Sequence, residues 1–300
     1  MSLNLRGVFG PVVTTFDSAS GDVAVAEFVA NIRAHLAAGL HGVVVGGSTG
    51  EAVLLDEAEL DQLAHAARGV VPADRALIVG VGAESTRLTV ARARRAAAAG
   101  ADAVLVVSPR YYASAMTAGP LLAHFRRVAD ASPVPVLLYN IPKYVGFSLG
   151  PAVVTDLAAH PNIVGLKDSS GNRDLVSVYV NAQREDFSVL NGSGSLVQGA
   201  LAAGARGAVL AVSLFAPELA LAVFQAMQRG DEAAAVAAQD RLTPLSATIV
   251  GALGVPGVKA ALAAIGLHGG PVRAPLHALE PAEVRQVRAL LASEALAAAS

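Results

Sequence analysis

The 300 residues carry 22 Lys+Arg against 24 Asp+Glu, a formal net charge of −2, and no cysteine. That balance argues against nucleic acid or an anionic membrane as the main partner. The missing thiols exclude disulfides, thiolate zinc sites and a cysteine nucleophile, and they fit a reducing, cytoplasmic setting.

The opening Met1–Gly10 lacks a basic region followed by an apolar core, so no secretory leader is expected. Hydrophobic residues make up 54% of the chain, yet glycine, proline and charged residues interrupt every apolar run. The runs stay well short of the roughly 20 residues that span a bilayer. No membrane segment is expected, and part of the apolar excess is expected between subunits.

In chain order, eight short, near-continuously apolar runs read as strands: Val8–Phe16, Gly42–Gly47, Ala76–Gly82, Ala103–Ser108, Val134–Asn140, Ile163–Lys167, Ser188–Gly192 and Gly207–Val212. Such runs suit parallel strands buried on both faces. Between them lie alanine-rich stretches of helical spacing. Glu27–Ala38 ends at Gly39, and Asp56–Gly69 opens on an acidic first turn. Thr86–Ala99 ends at Gly100, and Thr117–Ala131 stops before Pro133. The helical parts before the last two runs are shorter. Arg92, Arg94 and Arg95 read as the wet face of one of these helices.

Eight strands alternating with helices predict a (β/α)8 TIM barrel, with a doubly wound sheet as the competing arrangement. After Val212 the pattern is helical: Pro217–Arg229, Glu232–Leu242, Pro256–Ile265 and Pro281–Ala299, punctuated by Gly230, Pro244 and Gly269-Gly270. The division expected is a barrel over residues 1–229 carrying the active site, followed by a C-terminal helical extension over 230–300.

Working residues of such a barrel lie where strands end and loops begin. The sixth run, in N-I-V-G-L-K-D-S-S-G-N, ends on Lys167. Burying an amine disfavours its charged form and leaves a nucleophile toward carbonyl carbon. The chain has only three lysines, Lys143, Lys167 and Lys259, so its surface is charged with arginine instead. The competing reading has Lys167 reaching past the strand end to solvent.

The second run ends in G-G-S-T-G-E, where Gly47, Ser48 and Thr49 offer backbone N–H groups and hydroxyls to a carboxylate or phosphate. A plain turn with a capped helix is the alternative. Tyr111 and Tyr112 follow the fourth run and Tyr139 ends the fifth, three of five tyrosines in the chain. A tyrosine at a barrel mouth can relay protons, or it can be a wall residue with a satisfied hydroxyl. The seventh run leads to Gly192, where an absent side chain would leave room for a substrate.

The seven histidines are scattered, without H-x-H or H-E-x-x-H spacing, and most read as surface or helix-end residues. A metal-dependent aldolase is therefore unsupported, and no metal site is expected. Neither G-x-G-x-x-G nor a phosphate-binding G-x-x-x-x-G-K-[ST] loop is present.

Taken together, G-S-T-G-E, P-R-Y-Y, Y-N-I-P, G-L-K-D-S and G-V-P-G-V-K, in this order, resemble the dihydrodipicolinate synthase / N-acetylneuraminate lyase superfamily. The opening G-P-V-V-T-T-F and the closing G-G-P-V-R-A-P-L fit as well, so the resemblance spans about residues 6–292. It implies a class I, Schiff-base lyase acting on pyruvate or another 2-oxo acid without a cofactor. It also implies a (β/α)8 barrel with a helical C-terminal part and a homotetramer built from tight dimers.

Residue by residue, the resemblance implies that Lys167 forms the imine and Tyr139 moves the proton beside it. Ser48 and Thr49, with Gly47, hold the substrate carboxylate. Tyr111 or Tyr112 completes a relay across a dimer interface; counting from Pro109 selects Tyr111, counting back from Gly119 selects Tyr112. Ser169, Gly192 and Val209 line the pocket.

Synthases of the superfamily carry an arginine two residues after the proline of Y-N-x-P. Here that position is Tyr144, with Lys143 beside it as a possible substitute. Met116-Thr117 after P-R-Y-Y, the stretch R-R-V-A-D-A-S-P-V-P-V-L-L-Y and the closing motifs look most like 4-hydroxy-2-oxoglutarate aldolases, although the animal enzymes of that group have asparagine where Thr49 stands. Dihydrodipicolinate synthase, a 2-keto-3-deoxy sugar-acid aldolase or dehydratase, and a catalytically silent 2-oxo-acid-binding regulator are the alternatives.

Overall fold

The computed structural model describes residue 3 and residues 5–299, with side chains to residue 295. Eight parallel strands close into a barrel in sequential order: β1 (Gly7–Pro11), β2 (Gly42–Val45), β3 (Ala76–Gly80), β4 (Ala103–Val107), β5 (Val136–Asn140), β6 (Ile163–Asp168), β7 (Ser188–Asn191) and β8 (Gly207–Val209). Each lies within, or one residue beyond, a run read from the sequence, and closure leaves no sheet edge exposed. β1 stops at Pro11, which has no N–H to continue a ladder, and the chain turns over the top of the barrel.

Side chains alternate across each strand, so two cores result. Phe9, Val44, Ile78, Leu105, Leu137, Leu190 and Val209 fill the barrel interior. Val43, Leu77, Val104, Val106, Leu138, Leu166 and Val189 face outward, into the layer shared with the helices. Both faces are dry, which is why the runs are apolar throughout.

The helices are α1 (Val25–Ala37), α2 (Glu57–Arg68), α3 (Thr86–Ala98), α4 (Ala118–Ala131), α5 (Pro142–Val145), α6 (Pro151–Ala158), α7 (Arg173–Val180), α8 (Val197–Ala202), α9 (Pro217–Arg229), α10 (Glu232–Leu245), α11 (Gly254–Ala264) and α12 (Pro281–Ala299). Asp56 and Glu59 form a reciprocal capping box at the start of α2, and Ser85 caps α3 through Leu88 N–H. The outer core continues without a break into Leu242, Ile249, Val258, Leu262 and Val287 of the C-terminal helices. Among the described residues, no helix is long and apolar enough to cross a membrane.

Two sequence readings, of Pro244 and of Arg92, need correcting. Pro244 does not punctuate: α10 runs through it and widens at once into a π-helical turn over Ser246–Ala252. Proline removes one hydrogen bond of the α ladder, and a widened turn lets the chain continue past it. Most of the histidines are peripheral, as read; two are not. His35 is 2% exposed and His124 6%, on the core faces of α1 and α4, and burial pulls each imidazole down to about 4. Finally, Arg92 is not on a wet face. It lies between α2 and α3, where Nε and Nη2 donate to Glu57 and Nη1 to the Gly82 carbonyl.

Candidate active site

Strand register sets the centre of the site. Tyr139 pairs with Lys167 and Asn140 with Asp168 across β5 and β6. Tyr139 belongs to the barrel interior, and the Lys167 Nζ stands 4.2 Å from the centroid of its ring. Lys167 is 4% exposed, so the strand end does not carry it out to solvent. Among the described residues it makes no ion pair. A cationic amine is attracted to the ring face; a neutral one is free to react.

Asn140 and Asp168 point the other way and lock the two strands together. Asn140 donates to Asp168 Oδ1 at 2.6 Å and accepts from Leu149 N–H at 2.9 Å. The Ser170 hydroxyl donates to Asp168 Oδ2 at 2.7 Å. Burial raises the Asp168 carboxyl, and the bonds from Asn140 and Ser170 work against that rise. Beneath them the Tyr179 hydroxyl donates to Leu149 O at 2.5 Å, and burial, then the charge of Asp168, raises its pKa. These residues escaped sequence reasoning except as letters of Y-N-I-P and G-L-K-D-S. The signal that could have found them is a polar pair, Asn140 and Asp168, in equivalent places on consecutive apolar strands.

The turn after β2 starts with Gly46 at φ +65, a left-handed conformation; a side chain there would also run into Leu60. The N–H groups of Gly50 and Ala52 both bond to the Gly47 carbonyl, and Glu51 N–H bonds to Ser48 O. Those of Ser48 and Thr49 donate to no protein acceptor among the described residues. Two donors are thus left open in a turn at the barrel mouth, as an anion cradle requires.

Two cavities meet here. The smaller, about 280 Å³, contains Lys167, Tyr139, Ser48, Thr49, Ser169, Gly192, Val209 and Tyr144, with Lys143 at its wall. The larger, about 610 Å³, shares Ser48, Tyr139 and Tyr144 but does not reach Lys167; Gly47 lines it rather than the smaller one. Only in the smaller cavity do the amine, the phenol and the open turn converge.

Gly192 is needed for a reason other than substrate room alone: a Cβ would fall 2.0 Å from Ser169 Oγ, so Ser169 occupies that space. Tyr111 and Tyr112 line neither cavity. They are 78% and 70% exposed, edge to face with ring centroids 5.0 Å apart. Burial, and then the charge interaction with the neighbouring Tyr139 phenol, raises the Tyr144 phenol. Among the described residues there is no cluster of three or more histidines or carboxylates that could hold a metal ion.

A further constellation lies behind the turn. Glu51 and Lys259 form an ion pair of 2.6 Å with both side chains buried. Burial lowers the Lys259 ammonium and Glu51 opposes that shift. The sequence reading quoted both residues inside motifs and assigned neither a role.

What this mouth can do is set by its amine. Lys167 has no acid to hold it as a spectator cation, and the fold places it at the strand ends where barrel enzymes do their chemistry. Fold and site together define a class I lyase. The comparisons with known proteins agree. The model of the Dihydrodipicolinate synthetase family matches residues 4–294. An uncharacterized DapA-like lyase of Halobacterium salinarum is 39% identical over 93% of this chain and 90% of its own length. A 4-hydroxy-tetrahydrodipicolinate synthase of Methanoculleus marisnigri is 35% identical over 95% of this chain and 98% of its own. The crystal structure of YagE from E. coli K12, a prophage protein of the dihydrodipicolinic acid synthase family solved in complex with pyruvate, superposes with a TM-score of 0.92. It is 28% identical, over 98% of this chain and all of that one. The chain belongs to the Dihydrodipicolinate synthetase family and is a pyruvate-dependent lyase.

Proposed function

We propose that the protein is a class I aldolase of short 2-oxo acids, acting on 4-hydroxy-2-oxoglutarate or a close analogue and releasing pyruvate. Lys167 Nζ adds to C2 of the 2-oxo acid and water leaves, giving a protonated imine. The C4 hydroxyl passes its proton to Tyr139, the C3–C4 bond breaks, and its electron pair moves into the imine to form an enamine. The aldehyde departs, C3 is protonated, and water releases pyruvate and the free amine. The imine is itself the electron sink, so this route needs no cofactor. The open N–H groups of Ser48 and Thr49 hold the substrate carboxylate so that C2 lies against the amine.

The observation that carries the substrate assignment is Tyr144. It stands where the superfamily's synthases place the arginine for a second carboxylate, it lines the same cavity as Lys167, and a phenol cannot make that bidentate contact. A second reading is favoured by the relatives that carry the name 4-hydroxy-tetrahydrodipicolinate synthase. On that reading Lys143 takes the carboxylate of aspartate semialdehyde. Its Nζ is tied to Gly251 O at 2.9 Å and would have to turn. Turnover measured side by side with 4-hydroxy-2-oxoglutarate and with pyruvate plus aspartate semialdehyde decides. Cleavage of the first supports the aldolase; condensation of the second pair alone overturns it.

We also propose a homotetramer of tight dimers in which Tyr111 or Tyr112 enters the partner's site. Their exposure, together with that of Val53 and Leu276 on the larger cavity's wall, supports this. Tyr111→Phe and Tyr112→Phe variants identify the relay by which one slows turnover.

A further inference from the structure

Behind the turn that bears Ser48 and Thr49, three distant parts of the chain are drawn together. Glu51 follows the cradle by two residues and is the single non-glycine residue with positive φ among those described, at +55. Its side chain is fully buried. Oε1 meets Lys259 Nζ of α11 at 2.6 Å, and Oε2 accepts from Arg273 N–H at 2.8 Å. Lys259 Nζ also donates to Pro271 O at 2.6 Å. Arg273 grips Glu59 with both Nη atoms, at 2.6 and 2.7 Å, and donates to Leu54 O at 3.0 Å. The Phe16 ring lies against both cations, 4.6 Å from Lys259 Nζ and 4.2 Å from Arg273 Cζ.

Thr49 and Val258, the neighbour of Lys259, both line the small cavity. The ion pair therefore ties together the two chain segments that contribute them. A buried ion pair is a poor way to add stability, since apolar side chains of the same volume do as well. What it supplies is a contact of fixed length and direction, and it holds Glu51 in a backbone conformation that an unconstrained glutamate leaves.

We propose that Glu51 and Lys259 are positioning residues. They fix the Ser48–Thr49 turn at the distance from Lys167 that a 2-oxo acid spans, so that carboxylate capture depends on the C-terminal segment around Pro271 and Arg273. This rests on the assignment of Ser48 and Thr49 to the substrate carboxylate.

The test separates carboxylate capture from amine reactivity. Lys167 is trapped with borohydride in the presence of pyruvate, and separately with acetone, which has the ketone but no carboxylate. Adduct mass and peptide mapping are the readout. In Glu51→Gln and in Lys259→Met, the half-saturating pyruvate concentration rises about tenfold to a hundredfold, the range that a misplacement of about 1 Å costs a positioned site. Trapping with acetone stays at the wild-type level.

Wild-type pyruvate saturation in either variant overturns the proposal. So does a parallel loss with acetone, which would mean that the pair only supports the fold. Should these variants fail to fold, Arg273→Lys weakens the same clamp at its rim and is read by the same ratio, with a smaller shift in the same direction and the same overturning outcome. Thr49→Pro, which deletes one of the two open N–H groups, is the separate arm. If it leaves pyruvate saturation unchanged, the cradle assignment fails. If it raises the half-saturating concentration and Glu51→Gln does not, the cradle stands and the positioning role falls.

Discussion

Lys167 and Lys259 are buried to the same degree, 4% and 3% exposed, and they face opposite fates. Lys259 meets a carboxylate, a backbone carbonyl and the face of Phe16. Every one of those contacts favours the ammonium and holds it still. Lys167 meets the Tyr139 ring and a cavity that opens toward Ser48 and Thr49. Burial alone therefore does not make a lysine a nucleophile. On the proposed reading the acid beside it decides: paired, the amine is a strut; unpaired beside a proton carrier, it is a reagent.

The comparison breaks first at Lys167 itself. Lys167→Ala should lower turnover by roughly 10⁴-fold or more, as loss of a covalent nucleophile does, while the circular dichroism spectrum and melting temperature hold. Turnover close to wild type would move the chemistry elsewhere. Next comes the phenol. Tyr139→Phe should slow cleavage by about 10²- to 10⁴-fold yet leave borohydride trapping of pyruvate on Lys167 intact; loss of trapping in a folded protein would make Tyr139 part of imine formation rather than proton transfer.

Lys259→Met sharpens the other half. It leaves the Glu51 carboxylate buried without its cation, so denaturant unfolding should show a loss of about 3–5 kcal/mol. Peptide mapping of the wild-type adduct should place the pyruvate label on Lys167 alone, and label on Lys259 would erase the distinction between the two amines.

The smallest effect concerns His35, another group buried without a counter-charge, whose Nε2 has no hydrogen-bond partner among the described residues. Burial brings its pKa from 6.5 to about 4, so the folded state binds fewer protons than the unfolded state across that window. Its stability contribution is present above pH 6.5 and is lost as pH falls toward 4, by up to roughly 3 kcal/mol. Thermal melts of wild type and His35→Leu from pH 7 to pH 4 should differ in slope, with the variant flatter. Equal slopes would show that His35 stays neutral in neither state differently from the other.

The fold was legible because each strand lies between two dry layers and leaves an apolar run that neither helices nor loops imitate. The helix bounds were nearly as plain where a cap or glycine marks them, as at Asp56 and Gly39. Pro244 misled because a break and a π-helical widening answer the same missing N–H, and only packing against the barrel chooses between them. His35 and His124 could not be singled out from the other histidines, because a histidine on a helix carries no local sign of which face is buried. Within the site, Lys167 and Tyr139 could be found because reactive side chains at strand ends interrupt an apolar pattern. Glu51 and Lys259 could not: their partners lie 208 positions apart in the chain, and nothing local distinguishes a charge that will be buried from one that will be wet.

By itself, then, the order of residues determined a closed parallel barrel and the strand ends on which its reactive groups stand, since alternation and run length are local properties read one segment at a time. Tertiary structure alone decided which buried lysine is left without an acid, which way Tyr111 and Tyr112 face, and what braces the anion-ready turn from behind. Those are matters of distance between segments far apart in sequence, and charge acts through distance.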